Sequence, residues 1–229
     1  MRTCDAPRVS VIIPVLNDAA ALERLLACLA VRTRPEVEVI VVDGGSTDAS
    51  PAAARAGGAV AVLESGRGRG EQLARGCAVA RGRWLWLLHA DSSPEDGCLA
   101  ALLGLDRGPG WGRFAVRIPG PPLLRCVAWL MNARSCLTGI CTGDQGIFVH
   151  RDLLAAAGGM PAQPLMEDIE LSRRLKRLRR PWCRPERIGT SPRRWLKHGV
   201  VRTILAMWRF RLRYWLGADP VELAREYYR

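Results

Sequence analysis

Val37-Glu-Val-Ile-Val-Val-Asp43-Gly-Gly-Ser-Thr-Asp48 decides how this chain is read. Val37 to Val42 is a short β-branched run of the kind that lies buried inside a parallel sheet. Asp43 ends the strand with a carboxylate, two glycines let the backbone turn sharply, and Asp48 can cap a short helix. The same pattern recurs on either side. Val9-Ser-Val-Ile-Ile-Pro14 reads as a first strand, followed by a helix that Asn17 or Asp18 can cap and whose apolar face is Leu22, Leu25, Leu26 and Leu29. Ala59 to Leu63 is a third strand, Glu71 to Ala80 a helix, and Trp84 to Leu88 a fourth strand ending at His89-Ala90-Asp91. Buried strands alternating with helices imply an α/β fold, a doubly wound, mainly parallel, Rossmann-like sheet. Ligands bind such sheets at the carboxyl ends of the strands. The polar residues collect there: Asn17, the 43–48 turn, Gly66-Arg-Gly-Arg-Gly70 and His89-Ala-Asp91.

Beyond Pro94 the pattern is less regular. We expect a helix near Glu95 to Leu103, a strand around Phe114 to Ile118, an apolar helical stretch from Leu123 to Leu137 and a short strand from Gly146 to His150. Glu167 to Arg179 reads as a helix, and Arg194 to Leu216 as an amphipathic helix or helix pair with a basic character. At 229 residues and 48% hydrophobic content the chain can bury one substantial core, so we expect one domain with appendages.

The net charge of +12 is unevenly placed. Residues 1–170 hold 17 Arg against 18 acidic residues, while residues 171–229 hold 17 Lys and Arg against four acidic residues. Such a segment can face nucleic acid, an anionic membrane or phosphorylated substrates, and charge alone does not choose. The eight cysteines form no C-x-x-C pair, which disfavours a zinc ribbon or redox motif and makes buried reduced thiols in a cytoplasmic protein the expectation. Neither a signal peptide nor a spanning segment is expected, since the run from Val9 is short and no stretch of about 18 uncharged apolar residues occurs.

A dinucleotide-binding domain would carry G-x-G-x-x-G directly after the first strand, where this chain has Pro14-Val-Leu-Asn17. The glycines at 66, 68 and 70 lack the Gly-Lys-Ser/Thr ending of a Walker loop, so both cofactor classes are disfavoured. Asp43 can accept a hydrogen bond from a base or ribose edge, or simply close an Asx turn. Asp91, delivered by the apolar strand from Trp84, is a hard oxygen ligand suited to Mg²⁺ or Mn²⁺ beside substrate phosphates, or a helix cap ahead of Pro94. His89 reads as a strand-end packing residue or a contact. Glu167, Asp168 and Glu170 fit an acidic helix start favoured by the dipole as well as a catalytic pair. Arg67, Arg69, Arg193 and Arg194 offer guanidinium forks for a diphosphate, or are solvated.

Taken in order, Val11-Ile-Ile-Pro14 with Asn17, Val41-Val-Asp43-Gly-Gly-Ser46-Thr-Asp48, Leu88-His-Ala-Asp91, Gly143-Asp-Gln-Gly146 and Met166-Glu-Asp168-Ile-Glu-Leu resemble the family 2 glycosyltransferases, over roughly residues 9–200. The Gly66-Arg-Gly-x-Gly-x-Gln72 loop, the His-Ala-Asp motif and Thr190-Ser-x-Arg-Arg-Trp195 are similar to a bacterial subgroup of that family found beside radical-SAM genes. Two departures stand out. His89 replaces the first Asp of the family's Asp-X-Asp motif, leaving Asp91 to carry the metal. Ser191-Pro-Arg-Arg194-Trp195 stands where processive synthases have Gln-x-x-Arg-Trp, which argues against polymer synthesis.

The resemblance implies a GT-A fold and transfer of a sugar, with inversion, from a nucleoside-diphosphate sugar to a hydroxyl acceptor, lipid-linked acceptors included. UDP-sugars are favoured and GDP-sugars are the alternative, and the implied cofactor is Mn²⁺ or Mg²⁺. It implies nucleotide-sugar contacts at Pro14, Asn17, Asp43, Ser46, Arg67, Gln72, His89, Ala90 and Asp91. Acceptor-side contacts would come from Gly143, Asp144 and Gln145, and diphosphate contacts from Arg193, Arg194 and Trp195. Asp168 would be the base, with Glu167 orienting a neighbour. Residues 1–190 would form the domain, 1–92 holding the donor and 93–190 the acceptor, with 191–229 as the basic helical segment. Val201, Ile204, Leu205, Trp208, Leu212 and Trp215 recur at helical spacing, so an interfacial helix and a peripheral site at the inner face of an anionic membrane are expected; packing on the sheet or on a partner subunit is the alternative. Two other functions stay open. A sugar nucleotidyltransferase would need a basic glycine-rich loop after strand one, which is missing. A nucleic-acid-binding protein would leave Asp43, Asp91 and the 167–168 pair without a role, so no nucleic-acid partner is expected.

Overall fold

A computed structural model describes residues 6–29 and 34–228; Cys4 lies outside them. The chain begins with β1 (Val9–Val15), α1 (Ala19–Leu29), β2 (Val37–Asp43), α2 (Ser50–Ala56), β3 (Ala61–Glu64), α3 (Arg69–Val79) and β4 (Trp84–Leu87). It continues through β5 (Ser93–Pro94), α4 (Asp96–Leu103), β6 (Trp111–Arg117), α5 (Pro122–Thr138), β7 (Phe148–His150), α6 (Arg151–Ala156), α7 (Glu167–Leu178) and β8 (Trp182–Gly189). Three helices close it: α8 (Arg193–His198), α9 (Val200–Trp215) and α10 (Pro220–Tyr227). Among the described residues the strands form one sheet in the order β3-β2-β1-β4-β7-β6-β8-β5. β1 to β4 run parallel, as expected, and β7 joins β4 antiparallel. The turn of direction at β7 carries the sheet from the first half of the chain into the second.

Alternation along the strands explains why helices cover both faces. Val9, Val11, Ile13 and Val15 of β1 meet Val37, Val39 and Val41 of β2, Trp84 and Trp86 of β4, and the leucine face of α1 in one core. Ile12, Ile40, Val42, Leu85 and Leu87 point the other way, into a second core with Leu73 of α3 and Leu171 and Leu175 of α7. Each such fully buried aliphatic side chain contributes roughly 1.5–3 kcal/mol. Two smaller clusters tie the C-terminal helices down. Trp195 of α8 joins Val116, Leu124 and Val127, with Ile204 and Met207 of α9 packed against them. Phe210 of α9 joins Leu165 and Leu223 of α10.

Several elements differ from the sequence expectation. β8 is polar and alternates in exposure, and its register against β6 slips between Arg113 and Ala115, where Arg184, Pro185 and Glu186 are accommodated. A proline without a donor fits such an irregularity. The short β5 and helices α6 and α10 carry too few periodic apolar positions to stand out in sequence. The 194–216 stretch is a helix pair, broken at Gly199 with φ of +80°. The expectation of buried reduced thiols holds for Cys98 and Cys141 but is corrected elsewhere: Cys136 and Cys183, with Cα atoms 6.0 Å apart, form a disulfide, and Cys28 and Cys126 are exposed.

Candidate functional site

The carboxyl ends of β1 and β2 are locked together by side chains that the sequence marked as donor contacts. Asn17 has a positive φ of 51°, its N–H donates to Ser46 Oγ, and its side-chain oxygen accepts from the Thr47 N–H. Asp48 accepts the Ala19 N–H and the Ser50 N–H at the starts of α1 and α2, while the carbonyl of Asp18, at the expected cap position of α1, accepts the first helical N–H groups from Ala21 and Leu22. Gln72 is buried, and its amide donates to the carbonyls of Val15 and Val42, bridging the two strands. Asp43 Oδ2 accepts the N–H groups of Gly45 and Ser46, closing the Asx turn. Its other oxygen, Oδ1, is buried with no hydrogen-bond partner among the described residues. A buried carboxylate oxygen without a donor costs about 1–3 kcal/mol or more, so this atom is set to receive one.

A cleft of about 570 Å³ opens at this edge of the sheet. Pro14, His89, Ala90 and Asp91 line it from the parallel strands, and Gly143 and Asp144 from the turn before β7. Glu167 and Asp168 enter from the N-terminus of α7, behind Met166, whose φ is +62°. His89 Nδ1 lies 3.4 Å from Asp144 Oδ1. Burial works against protonation of His89, yet the hydrogen bond to Asp144 outweighs it and its pKa is raised. For Asp144 burial favours the neutral acid, and His89 with Arg69 pulls the carboxyl below its usual range. Asp91 goes the opposite way. Burial, helped by the nearby Asp144 and Asp18 charges, raises its pKa although His89 opposes.

Glu167 is almost fully buried and sits 3.4 Å from the Nε of Arg69. Burial raises the Glu167 pKa, with Arg69 opposing and Asp168 reinforcing. Arg69 is also desolvated, but the Glu167 carboxylate holds its pKa above the ordinary value. Asp168 faces differently. Its Oδ2 accepts the Gly143 N–H at 2.9 Å and its Oδ1 accepts the Ile169 N–H at 2.7 Å. Adjacent residues on a helix diverge by about 100°, which is why the two acids have separate partners.

Arg67, Arg193 and Arg194 also line the cleft. Arg193 is 3.3 Å from Asp18, Arg67 stacks on Tyr228 at 5.3 Å, and Arg194 lies over Tyr227 at 4.2 Å. Of the expected contacts, Gln145, Asn17, Ser46 and Asp43 lie outside the cleft's lining. Gln145 is fully buried and outside the cleft, its amide bonded to Asn132 and Ser135 and its oxygen accepting from Thr142. Trp195 lines the cleft as expected, and its ring is also buried in the hydrophobic cluster with Val116, Leu124 and Val127. Asn17, Ser46 and Asp43 lie at the neighbouring turn and not among the cleft's lining residues. Sequence reasoning missed Asp18, Lys197, His198, Arg211, Tyr227 and Tyr228, which line the cleft. Only Asp18 had a signal, being the acidic residue directly after strand one.

Among the described residues no three His, Cys, Asp or Glu side chains are grouped as a metal cage. Asp91 nevertheless fits a cation bound mostly by substrate. It is a carboxylate lining the cleft, with its pKa raised chiefly by burial and further by the Asp144 and Asp18 charges, and one protein carboxylate suffices for Mg²⁺ or Mn²⁺ when phosphate oxygens and water complete the shell.

Residues 10–109 match the family model described as Glycosyl transferase family 2. A PGL/p-HBAD biosynthesis glycosyltransferase of Mycobacterium tuberculosis, and its counterpart in Mycobacterium bovis, are 38% identical over 94 residues, covering 38% of this chain and 37% of theirs. The chain thus matches little more than a third of the length of those relatives. Among solved structures, the mannosyltransferase PcManGT from Pyrobaculum calidifontis, in complex with GDP-Man and Mn²⁺, superposes with a TM-score of 0.63 at 22% identity, covering 90% of this chain and 61% of that one. S. aureus TarS 1–349 in complex with UDP-GlcNAc gives 0.61 at 19% identity, covering 80% and 58%. These identities speak for the fold alone, which is the GT-A type with a helical C-terminal segment. The family match over residues 10–109 and the glycosyltransferase relatives support a family 2 glycosyltransferase domain in the N-terminal part of the chain.

Proposed function

We propose that this protein transfers a sugar, with inversion, from a nucleoside-diphosphate sugar to a hydroxyl acceptor. The observation that carries the reading is the convergence, in one cleft at the carboxyl edge of the sheet, of Asp91, Asp144 and Asp168 with Arg67, Arg69, Arg193 and Arg194. All seven were expected at the site from sequence: Asp91 and the four arginines as ligands of the donor, its diphosphate and its metal, Asp144 toward the acceptor, and Asp168 as the base. Asp43, whose Oδ1 has no donor among the described residues, would receive an N–H or O–H of the nucleoside. Arg67, Arg193 and Arg194 would pair with phosphate oxygens, releasing Tyr228, Asp18 and Tyr227. UDP-sugars and GDP-sugars both fit; a neighbour binds UDP-GlcNAc and another GDP-Man.

Asp168 is the base in this reading. The acceptor oxygen forms a bond to the anomeric carbon as the bond from that carbon to the diphosphate oxygen breaks. The electron pair leaves with the diphosphate, and the acceptor proton passes to the Asp168 carboxylate. The Gly143 and Ile169 N–H groups fix that carboxylate in place. Glu167 keeps Arg69 oriented and charged beside the departing phosphates. A Mn²⁺ or Mg²⁺ ion held by Asp91 would neutralise charge on the diphosphate. The 66–72 loop, His89-Ala-Asp91 and the 190–195 stretch favour the bacterial radical-SAM-associated subgroup.

The test is a panel of UDP- and GDP-sugars with and without Mn²⁺. Thermal shift should single out one donor, and free nucleoside diphosphate should accumulate only with that donor. Release of pyrophosphate from a nucleoside triphosphate and sugar phosphate would instead identify a nucleotidyltransferase.

A further inference from the structure

The helix α9 has two working faces. One is internal: Thr203 and Phe210 are buried, Ile204 and Met207 pack near Trp195, and Met207, Phe210 and Arg211 line the cleft. The other carries Val201, Leu205, Trp208, Leu212 and Trp215, all exposed, with the two indoles 70% and 78% accessible. At 100° per residue these five fall within an arc of about 80°. Scattered exposed leucines are ordinary on a protein surface, but five large apolar side chains on one continuous arc are not.

α5 repeats the feature. Leu123, Leu130 and Leu137 are exposed and spaced by seven, so they share one line along that helix, while its Leu124 and Val127 are buried in the cluster against which α9 packs. Both helices therefore rest on one core and leave apolar rows outside. The row on α9 is bordered by Arg202, Arg209 and Arg213, about 100° round the helix. Glu226 pairs with Arg209 and Arg213 and offsets part of that charge. Residues 171–229 as a whole carry 17 basic against four acidic residues.

We propose that the outer rows of α9 and α5 dock this protein onto an anionic lipid bilayer. Charge selects that occupant over a second copy of the chain: antiparallel pairing of two α9 helices about a two-fold axis would set the arginine row against itself. Negative headgroups instead complement it, with the tryptophans at the headgroup level and the aliphatic row below. No helix among the described residues is long and apolar enough to cross a membrane, so attachment would be peripheral. With α9 on the bilayer, its other face borders the cleft that we read as the transfer site, which favours an acceptor presented from the lipid surface. Docking itself does not depend on that reading.

The experiment is flotation of the full chain with phosphatidylcholine vesicles, with and without phosphatidylglycerol. Binding should require phosphatidylglycerol and fall in high salt. It should drop at least about tenfold in Trp208→Ser/Trp215→Ser and measurably in Arg202→Glu, which leaves the apolar row intact. Both variants should keep the native melting temperature and the nucleoside-diphosphate thermal shift. That shift reports on the transfer site, so its failure in the parent protein would strike the functional reading and leave docking standing. Absence of binding at low salt, or equal binding by the tryptophan variant, overturns docking. So does a dimer in sedimentation analysis that the same variant dissolves in the absence of lipid.

Discussion

Asp168→Asn tests the assignment of the base, and the geometry dictates a double effect. Both carboxylate oxygens accept a backbone N–H, from Gly143 at 2.9 Å and Ile169 at 2.7 Å. An amide has one acceptor oxygen, so its NH₂ must face a backbone donor at one of the two positions. Losing one hydrogen bond to a charged group costs about 1.5–3 kcal/mol. For a domain of this size each kcal/mol moves the melting temperature by roughly 2–4 °C, so the variant should melt about 3–12 °C lower. Proton acceptance is lost as well, and general-base removal slows transfer by about 10²–10⁴-fold, equivalent to roughly 2.7–5.5 kcal/mol in the barrier. Donor binding should be preserved, because Asp168 meets the acceptor. Calorimetric titration with the donor, differential scanning fluorimetry and single-turnover release of nucleoside diphosphate measure the three quantities separately. A variant that melts lower yet transfers within tenfold of the parent would show that Asp168 only holds the 143–145 turn.

Three further outcomes follow from the same geometry. Asp91→Asn should abolish the Mn²⁺-dependent part of nucleoside-diphosphate binding while leaving the metal-free part, as read by thermal shift with and without the ion. Gly143→Ala places a Cβ 2.3 Å from His89 Nε2, so the imidazole must swing away from Asp144; donor turnover should fall at least about tenfold, for a stability loss of about 1–3 kcal/mol. Glu38 resists burial through the Ser10 hydroxyl and the Arg81 N–H and guanidinium, which hold its pKa below the ordinary carboxylate value. A depressed carboxylate contributes stability above its unfolded pKa and loses it as pH falls through the folded one. Chemical denaturation from pH 7 downward should therefore show the parent weakening below about pH 4.5, and Glu38→Gln less stable at pH 7 but flatter in acid; parallel curves would exclude this linkage.

The parallel half of the fold was readable because its signals are local. Each strand from β1 to β4 is a short run dominated by Val, Ile, Leu or Trp, and each leads into polar residues that the topology then gathers at one edge. β8 was not readable, since its apolar positions are interrupted by Arg184, Pro185, Glu186 and Arg187, and its place beside β6 is set by a pairing 70 residues away in sequence. The disulfide was missed for a related reason: Cys136 and Cys183 are separated by 47 residues, and their proximity exists only once α5 and β8 flank β6.

At the site, residue type was more legible than residue task. Gln72 and Gln145 are the instructive pair: each lies in a motif that points to ligand contact, and each uses its amide to join backbone or side-chain groups of the protein. A sequence shows that an amide is wanted at a loop; it does not show whether the loop needs the amide more than a ligand does. Asp43 resolves the other way. Its turn requires only one carboxylate oxygen, and Asn could close that turn equally well. The second oxygen, buried and without a donor among the described residues, is unfavourable for the isolated fold. An Asp43→Asn variant keeps the turn-closing oxygen and exchanges the orphan acceptor for a buried NH₂ donor, so it should fold within about 1–3 kcal/mol of the parent while nucleoside binding weakens about tenfold or more. Destabilisation with unchanged binding would mean that the carboxylate serves the turn alone.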